Sequence, residues 1–263
     1  MSFDIFLKKE MTELVKSVKG IVLAVVFLFI AVSAPLITKL TPEIVNWAMS
    51  GMSEAESAEM DMLMRIMPEP DSVQSYSQFF GNFNMIGLFA LIIVFGGIVA
   101  NEKSKGTAAY ILTKNISRTE FILSKFVSSV LFIFVSTVLT GGVLKIYTDL
   151  LFKDGLIENK DFIIYCAILF LYLVFIMSIV LFASILSKNV TSATIMGFLI
   201  FIGFNIWAAV PRFGKYAPPN INDFSVLLNL KDSADLTAGI IVTAVLSVLF
   251  LISGIYLFNK QEL

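Results

Sequence analysis

Residues 101–126 read NEKSKGTAAYILTKNISRTEFILSKF. They form a polar, cation-rich passage between two strongly apolar runs, 83–100 and 126–147. A bilayer-crossing helix needs roughly 20 mainly apolar residues. Both flanks meet that requirement, so the passage reads as a water-side loop between two membrane spans, and the fold follows from counting the remaining spans. The same rule marks six in all, at about 20–38, 83–100, 126–147, 162–186, 189–210 and 236–259. Helices are the expected form, because the hydrocarbon offers no water to open backbone groups. The runs are also too long and too continuously apolar for barrel strands. The expected fold is thus all-α and integral to the membrane, a single transmembrane domain over 1–263.

Composition agrees. The chain of 263 residues is 57% hydrophobic and 15% charged, where soluble domains are nearer half apolar and about a quarter charged. Mean hydropathy is +0.88. There is no histidine and one cysteine, Cys166, inside an apolar run. That composition allows no disulfide within the chain, no cysteine metal site, little zinc chemistry and no histidine-based triad. Cys166 reads as a small buried hydrophobe. The spans contain no acid, so an intramembrane enzyme lacks an acid–base pair. Lys145 is the one charge inside the predicted spans, close enough to an end to snorkel to the headgroups. Val32-Ser33-Ala34 has the small residues of a signal cleavage site. The mixed-charge leader and the long apolar run before it favour a retained span.

Charge placement orients the spans. With the N-terminus in the cytoplasm, inside segments hold 11 cations and 6 acids, and outside segments 8 cations and 14 acids. The positive-inside rule then puts both termini in the cytoplasm of a plasma membrane, of a prokaryote by expectation. Residues 3–19 carry Leu7, Met11, Leu14, Val15 and Val18 at helical spacing, the pattern of an amphipathic helix lying in the interface. The outer segment 39–82 holds a capping-box pattern at Ser53–Glu56 and six methionines within nineteen residues, from Met49 to Met67. It is expected to contain a short amphipathic helix. Interfacial filler, a pliable substrate surface and a copper(I) site are all compatible with that run. Residues 211–235 form a second outer segment, broken by Pro211, Pro218 and Pro219.

Within the opening stretch, Thr107 is placed to cap a short helix over 108–114, with Asn115 as its stop. Ser117-Arg-Thr-Glu120 is a capping box that starts a new helix running into the third span. A short helix anchored at both ends is a lever, better suited to transmitting force than to chemistry. An ordinary basic loop obeying the positive-inside rule has the same composition.

The order Glu102, Gly106-Thr107, Ile111-Leu112, Asn115-Ile116-Ser117-Arg118 and Leu123-Ser124-Lys125 resembles the cytoplasmic loop of type-2 ABC transporter permeases. Many members carry proline at or beside the position of Asn115, and this chain does not. The resemblance extends to six spans with inside termini, the amphipathic first helix, the short loop Ser187-Lys188-Asn189 and the closing 258–262. It implies the membrane subunit of an ABC exporter, working with a second copy or a paralogous permease and with a cytoplasmic ABC ATPase dimer. The loop helix would be the coupling helix. Tyr110, Ile111 and Leu112 would be its anchor, Glu102, Lys105 and Arg118 its polar rim, and Gly106, Thr107 and Ser117 would shape its ends. No G-x-x-x-x-G-K-[ST] loop occurs in the chain, so no cofactor is expected on it, and ATP and Mg would sit on the partner ATPase. Nucleic acid is not an expected partner, and the lipid bilayer is. The substrate class left open by the resemblance leans to a hydrophobic peptide or drug-like compound, since no large outer domain is present. The competing reading is a non-transporting membrane sensor or immunity subunit that binds a peptide. Ser128, Thr137, Thr140, Tyr172 and Asn205 could line a pathway or join helices.

Overall fold

The computed structural model describes residues 3–51, 70–113, 116–153, 157–228 and 234–261. The expected helix within 53–67 and the expected stop at Asn115 lie outside these residues. Among the described residues every regular element is helical, and six helices are long and apolar enough to cross a membrane. The chain is an all-helical membrane protein.

Helix α1 (Phe3–Lys16) ends at Ser17, and α2 (Val18–Met49) starts at once. The Ser17 hydroxyl donates to Leu14 O (2.8 Å) and accepts from Gly20 N (2.9 Å), so one side chain serves both helix ends. The elbow is tight. A Cβ on Gly20 would lie 2.1 Å from Leu14 O, a backbone atom with no rotamer to escape through. Helix α1 turns inward Phe6 and Glu10, with Leu7, Met11 and Leu14 half-buried. Val15 and Val18, which the spacing assigned to the same face, are exposed. The inward stripe therefore includes a carboxylate in place of those two valines.

Helix α2 runs through Pro35 and Pro42 over 32 residues. At ~1.5 Å per residue that is about 48 Å, well beyond a hydrocarbon core of ~30 Å. Hydropathy located the apolar centre of this helix at 20–38 but not its polar continuation. The second span is an assembly rather than one regular helix. It comprises α3 (Ser72–Asn82), a π turn (Phe83–Gly87), α4 (Leu88–Phe95), an irregular turn at Gly96 to Val99, and α5 (Ala100–Ser104). The irregular turn is held from outside. The Ser184 hydroxyl accepts from both Val99 N and Ala100 N at 3.0 Å. Gly96 and Gly97 permit the approach of the fifth span, since Cβ atoms there would meet Thr194 Oγ1 at 2.3 Å and Val190 Cγ1 at 2.8 Å.

Helix α6 (Thr107–Leu112) follows, then α7 (Arg118–Leu151), α8 (Asn159–Leu186) and α9 (Val190–Ala208). Short 3-10 turns and α10 (Phe224–Leu228) lead to α11 (Ala234–Lys260). Helix α8 is the axis of the bundle. Its apolar window is 67% buried, against 17% for α9 and 17% for α11. Cys166 lies on α8, and its sulfur is 2.9 Å from where a Cβ on Gly141 would be. Its surroundings are those of a packing residue. Lys145 bonds Asp149 Oδ1 (3.0 Å) and Ile157 O (2.9 Å), so its charge is paired at the helix end.

Because the elbow has no room for a methyl group, Gly20→Ala must separate α1 from α2. We expect that substitution to lower the thermal unfolding midpoint in detergent, while Gly142→Ala, where a Cβ meets nothing within 4 Å, leaves it unchanged. Equal midpoints for the two variants would contradict the tight elbow.

Candidate functional site

Helix α1, the end of α11 and the described residues of the 101–118 passage meet at one end of the bundle, around the ammonium of Lys125. Lys125 lies about two turns inside α7 and is 2% exposed. Its Nζ is 2.9 Å from Glu10 Oε2 on α1 and 2.6 Å from Glu102 Oε1 on α5. It also stands 5.0 Å from the centroid of the Phe121 ring. An ammonium has three donors and no acceptor. Here two go to carboxylates, and a π face lies within cation–π range. Lys9, at the rim, brings its Nζ to 3.5 Å from Glu10 Oε1 and 3.3 Å from Glu13 Oε2. Partial burial works to lower the Lys9 pKa, but the Glu10 and Glu13 carboxylates outweigh it and hold the amine above its ordinary range. The two lysines thus face three carboxylates, the buried Glu10, the half-buried Glu102 and the exposed Glu13.

An aromatic stack underlies the charges. Phe121 stacks on Phe258 of α11 at 5.6 Å and 10°, and on Phe6 of α1 at 6.0 Å and 28°. Helices α1 and α7 thus share both a polar joint, completed by α5, and an aromatic one, completed by α11. A cavity of about 150 Å³ lies beside it, lined by Glu10, Glu102, Lys125, Asn101 and Ser128 among others. That is room for several waters at ~30 Å³ each. Glu10 Oε1 and Glu102 Oε2, which have no hydrogen bond among the described residues, belong to residues on its wall.

Two further cations close the C-terminal ends of helices, where carbonyls lack intrahelical partners. Arg118 Nη1 donates to the carbonyls of Phe258 (3.3 Å), Asn259 (3.1 Å) and Gln261 at the end of α11. Lys103 Nζ donates to Ile185 O at the end of α8 (2.6 Å) and to Gln261 Oε1 (2.9 Å).

The loop helix α6 projects from this joint. Its N-cap is Gly106 at φ 69°, the left-handed region that favours glycine. Thr107, expected to be the cap, is instead the first helical residue, and its hydroxyl donates to Glu102 O at 3.2 Å. The helix ends at Leu112, two residues short of the expected 114. Ser117 caps α7 with a complete capping box: its hydroxyl accepts from Glu120 N (3.1 Å), and Glu120 Oε2 accepts from Ser117 N (2.8 Å).

The nine residues that sequence grouped as one docking surface divide in two. Lys105, Gly106, Thr107 and Tyr110 are exposed, Tyr110 at 63%, and Ser117 is exposed at the start of α7. Ile111 and Leu112 are half-buried against the chain's own core, and Ala108 is fully buried. Glu102 and Arg118 are engaged within the chain. The outward anchor of α6 is therefore Tyr110 alone of the expected three, because a six-residue helix seated on Ala108 must turn positions 111 and 112 inward as well. Sequence reasoning missed Glu10 and Ser184 and counted Lys125 as a loop cation. A signal for Glu10 did exist: it lies four residues after Phe6, on the apolar stripe of α1.

A protein-family model matches residues 44–263. The chain belongs to the family described as "Protein of unknown function (DUF2705)". The matched region takes in every part of the joint except α1 and Glu10. Among curated proteins it is similar to the "Uncharacterized transmembrane protein YxlG" of Bacillus subtilis (strain 168), 25% identical over 191 residues, covering 73% of this chain and 70% of the relative. It is also similar to the "Uncharacterized protein YhcI" of the same organism, 31% identical over 105 residues, covering 34% and 33% respectively. The six apolar helices accord with the transmembrane description of the first relative.

Breaking a buried ion pair by removing one partner costs about 3–5 kcal/mol. Lys125→Met should therefore destabilise the protein by about that amount, because two carboxylates lose their common partner. Adding Glu10→Gln and Glu102→Gln to Lys125→Met should restore much of the loss, as measured by thermal or denaturant unfolding in detergent. A triple variant as unstable as the single one would show that the lysine stem, and not its charge, holds the joint.

Proposed function

We propose that this chain is the permease subunit of an ATP-driven ABC exporter, with α6 as the helix that receives force from a separate cytoplasmic ATPase. The observation that carries the reading is the mounting of α6. It exposes Lys105 and Tyr110, while the residues just before and after it are fixed to three long helices. Glu102 ties the segment before it to α7 and α1 through Lys125. Arg118 ties the segment after it to the end of α11. A push on Tyr110 would thus be delivered to α1, α7 and α11 together. A loop without such ties would yield locally.

The charge bias puts this end in the cytoplasm, with both termini inside, and α1 lies there as an interfacial helix. Its exposed Ile5, Val15 and Val18 suit contact with the acyl boundary. The ATPase would supply the ATP and Mg. The exporter would be completed by a second permease, identical or paralogous, for which the weakly buried α9 and α11 leave surface. The resemblance to type-2 ABC permeases, together with the order of these elements, supports this arrangement. A hydrophobic peptide or drug-like compound is the proposed cargo.

The test is a pull-down of the tagged full chain from its native membrane in mild detergent, with mass spectrometry of the retained proteins. An ABC ATPase should accompany the wild type. Because aromatic anchors at interfaces contribute ~2 kcal/mol or more, Tyr110→Asp should reduce its recovery by roughly 30-fold. That substitution is on the exposed side of α6, so the unfolding midpoint should not move. Absence of an ATPase from the wild-type sample would overturn the reading in favour of a non-transporting sensor, and full recovery with Tyr110→Asp would move the contact away from α6.

A further inference from the structure

At the opposite end of the bundle a cavity of about 500 Å³ opens between α3, the π turn, α8, α9 and the 217–224 turns. This is within the size range of small-molecule sites, ~300–1,000 Å³. Phe80, Phe201, Phe224 and Leu88 supply its apolar wall. Two features show that the polar part of the wall is built. The π turn at 83–87 places Asn84 against Asn222, with Asn84 Nδ2 donating to Asn222 O at 3.3 Å and Asn222 Nδ2 donating to Asn84 Oδ1 at 2.6 Å. Such turns are frequent at functional sites. Tyr172, 1% exposed, also lines the cavity, and its hydroxyl has no hydrogen bond among the described residues.

The remaining polar atoms share one character. Asn205 and Asn220 spend their donors on backbone carbonyls: Asn205 Nδ2 on Phe201 O, and Asn220 Nδ2 on Gly214 O and Ala208 O. Their carbonyl oxygens are left over. Asp223 accepts from Ser225 N and Oγ through Oδ1, which leaves Oδ2 without a hydrogen bond among the described residues. Among the described residues no lysine or arginine lines the cavity, and Lys215 of the same outer segment is paired with Asp235 at 2.9 Å. The unused groups among the described residues are therefore two amide oxygens, one carboxylate oxygen, the second amide hydrogen of Asn205 and the hydroxyls of Ser77 and Tyr172, so acceptors predominate among the aromatic rings. A ligand that satisfies them presents several N–H donors and a positive charge on an apolar body.

The geometry points to a binding site for primary ammonium amphiphiles, with the charged head at Asp223, Asn205, Asn220 and Tyr172 and the apolar body against Phe80, Phe201 and Phe224. A charge-assisted contact to Asp223 and a cation–π contribution from the rings would select ammonium over neutral or anionic heads. The site rests on this cavity alone and stands whether or not α6 meets an ATPase. The head chemistry could come from a soluble amine or from an aminophospholipid headgroup.

Calorimetric titration of the full chain in nanodiscs, with empty nanodiscs as the blank, tests it with three probes of equal chain length: octylamine, octanol and octanoate. We expect saturable binding of octylamine, octanol weaker by about tenfold or more, and no saturable octanoate signal. Asp223→Asn keeps the Oδ1 acceptor that holds Ser225, so the turn survives, yet octylamine affinity should fall about tenfold or more. Tyr172→Phe should weaken it about threefold. Including phosphatidylethanolamine in the nanodiscs separates the sources: competition with octylamine assigns the site to the lipid headgroup, and an unshifted curve assigns it to soluble amines. Octanol binding as tightly as octylamine, an Asp223→Asn variant with unchanged affinity, or no saturable octylamine heat would each overturn the proposal.

Discussion

A single buried ammonium organises one end of this protein. Lys125 is placed by α7 where water is scarce, and a charge in such a place must be matched or the fold loses several kcal/mol. Glu10 and Glu102 match it. Because these carboxylates come from α1 and α5, the electrostatic requirement of one residue becomes a geometric constraint on three segments far apart in sequence. The Phe6–Phe121–Phe258 stack adds a fourth partner, α11, to the same joint. Alternative seatings of α1 on the bundle would strand Glu10 or Lys125, so the joint specifies position even where its net contribution to stability is small.

Around that joint, each interruption of regular helix has a partner that compensates for it. The elbow after α1 is closed by Ser17 and depends on Gly20. The irregular turn after α4 is received by the Ser184 hydroxyl. The left-handed Gly106 turns the chain into α6, and the Ser117–Glu120 box starts the next long helix. The result is a short exposed helix on a stiff mount. The far end is built differently, from a π turn, amide pairs and aromatic rings that enclose a cavity. The two ends are joined by α8, the most deeply buried span, which carries Ser184 at one end and Tyr172 at its midpoint.

What was legible in the sequence follows from interactions that act over short distances. Six apolar runs of sufficient length determine six helices, because the hydrocarbon leaves a backbone no other solution. The capping box at Ser117–Glu120 is local, since donor and acceptor lie three residues apart, and it formed as read. The apolar stripe of α1 was readable in part, and the start of α6 was read one residue late, with Thr107 taken as the cap in place of Gly106. Span limits were less legible: α2 and α7 continue as helix well past their apolar centres, because polar turns at a membrane surface cost a helix little and hydropathy is blind to them.

The sequence by itself determined the class of the protein, the number of its spans and the place of the loop helix between the second and third. The tertiary structure decided which side chains of that loop face outward. Lys125, Glu102 and Arg118 carry the same formal charges as any loop residues, and only the approach of α1 and α11 turns them from surface groups into internal ties. Ile111 and Leu112 likewise differ from Tyr110 only in which way a six-residue helix is rotated, and that rotation is set by Ala108 packing on the core. The cavity at the far end gathers Tyr172, Asn205 and Asp223 from three separate elements. Pairings of that kind depend on contacts across long sequence separations, which no periodicity or local motif encodes.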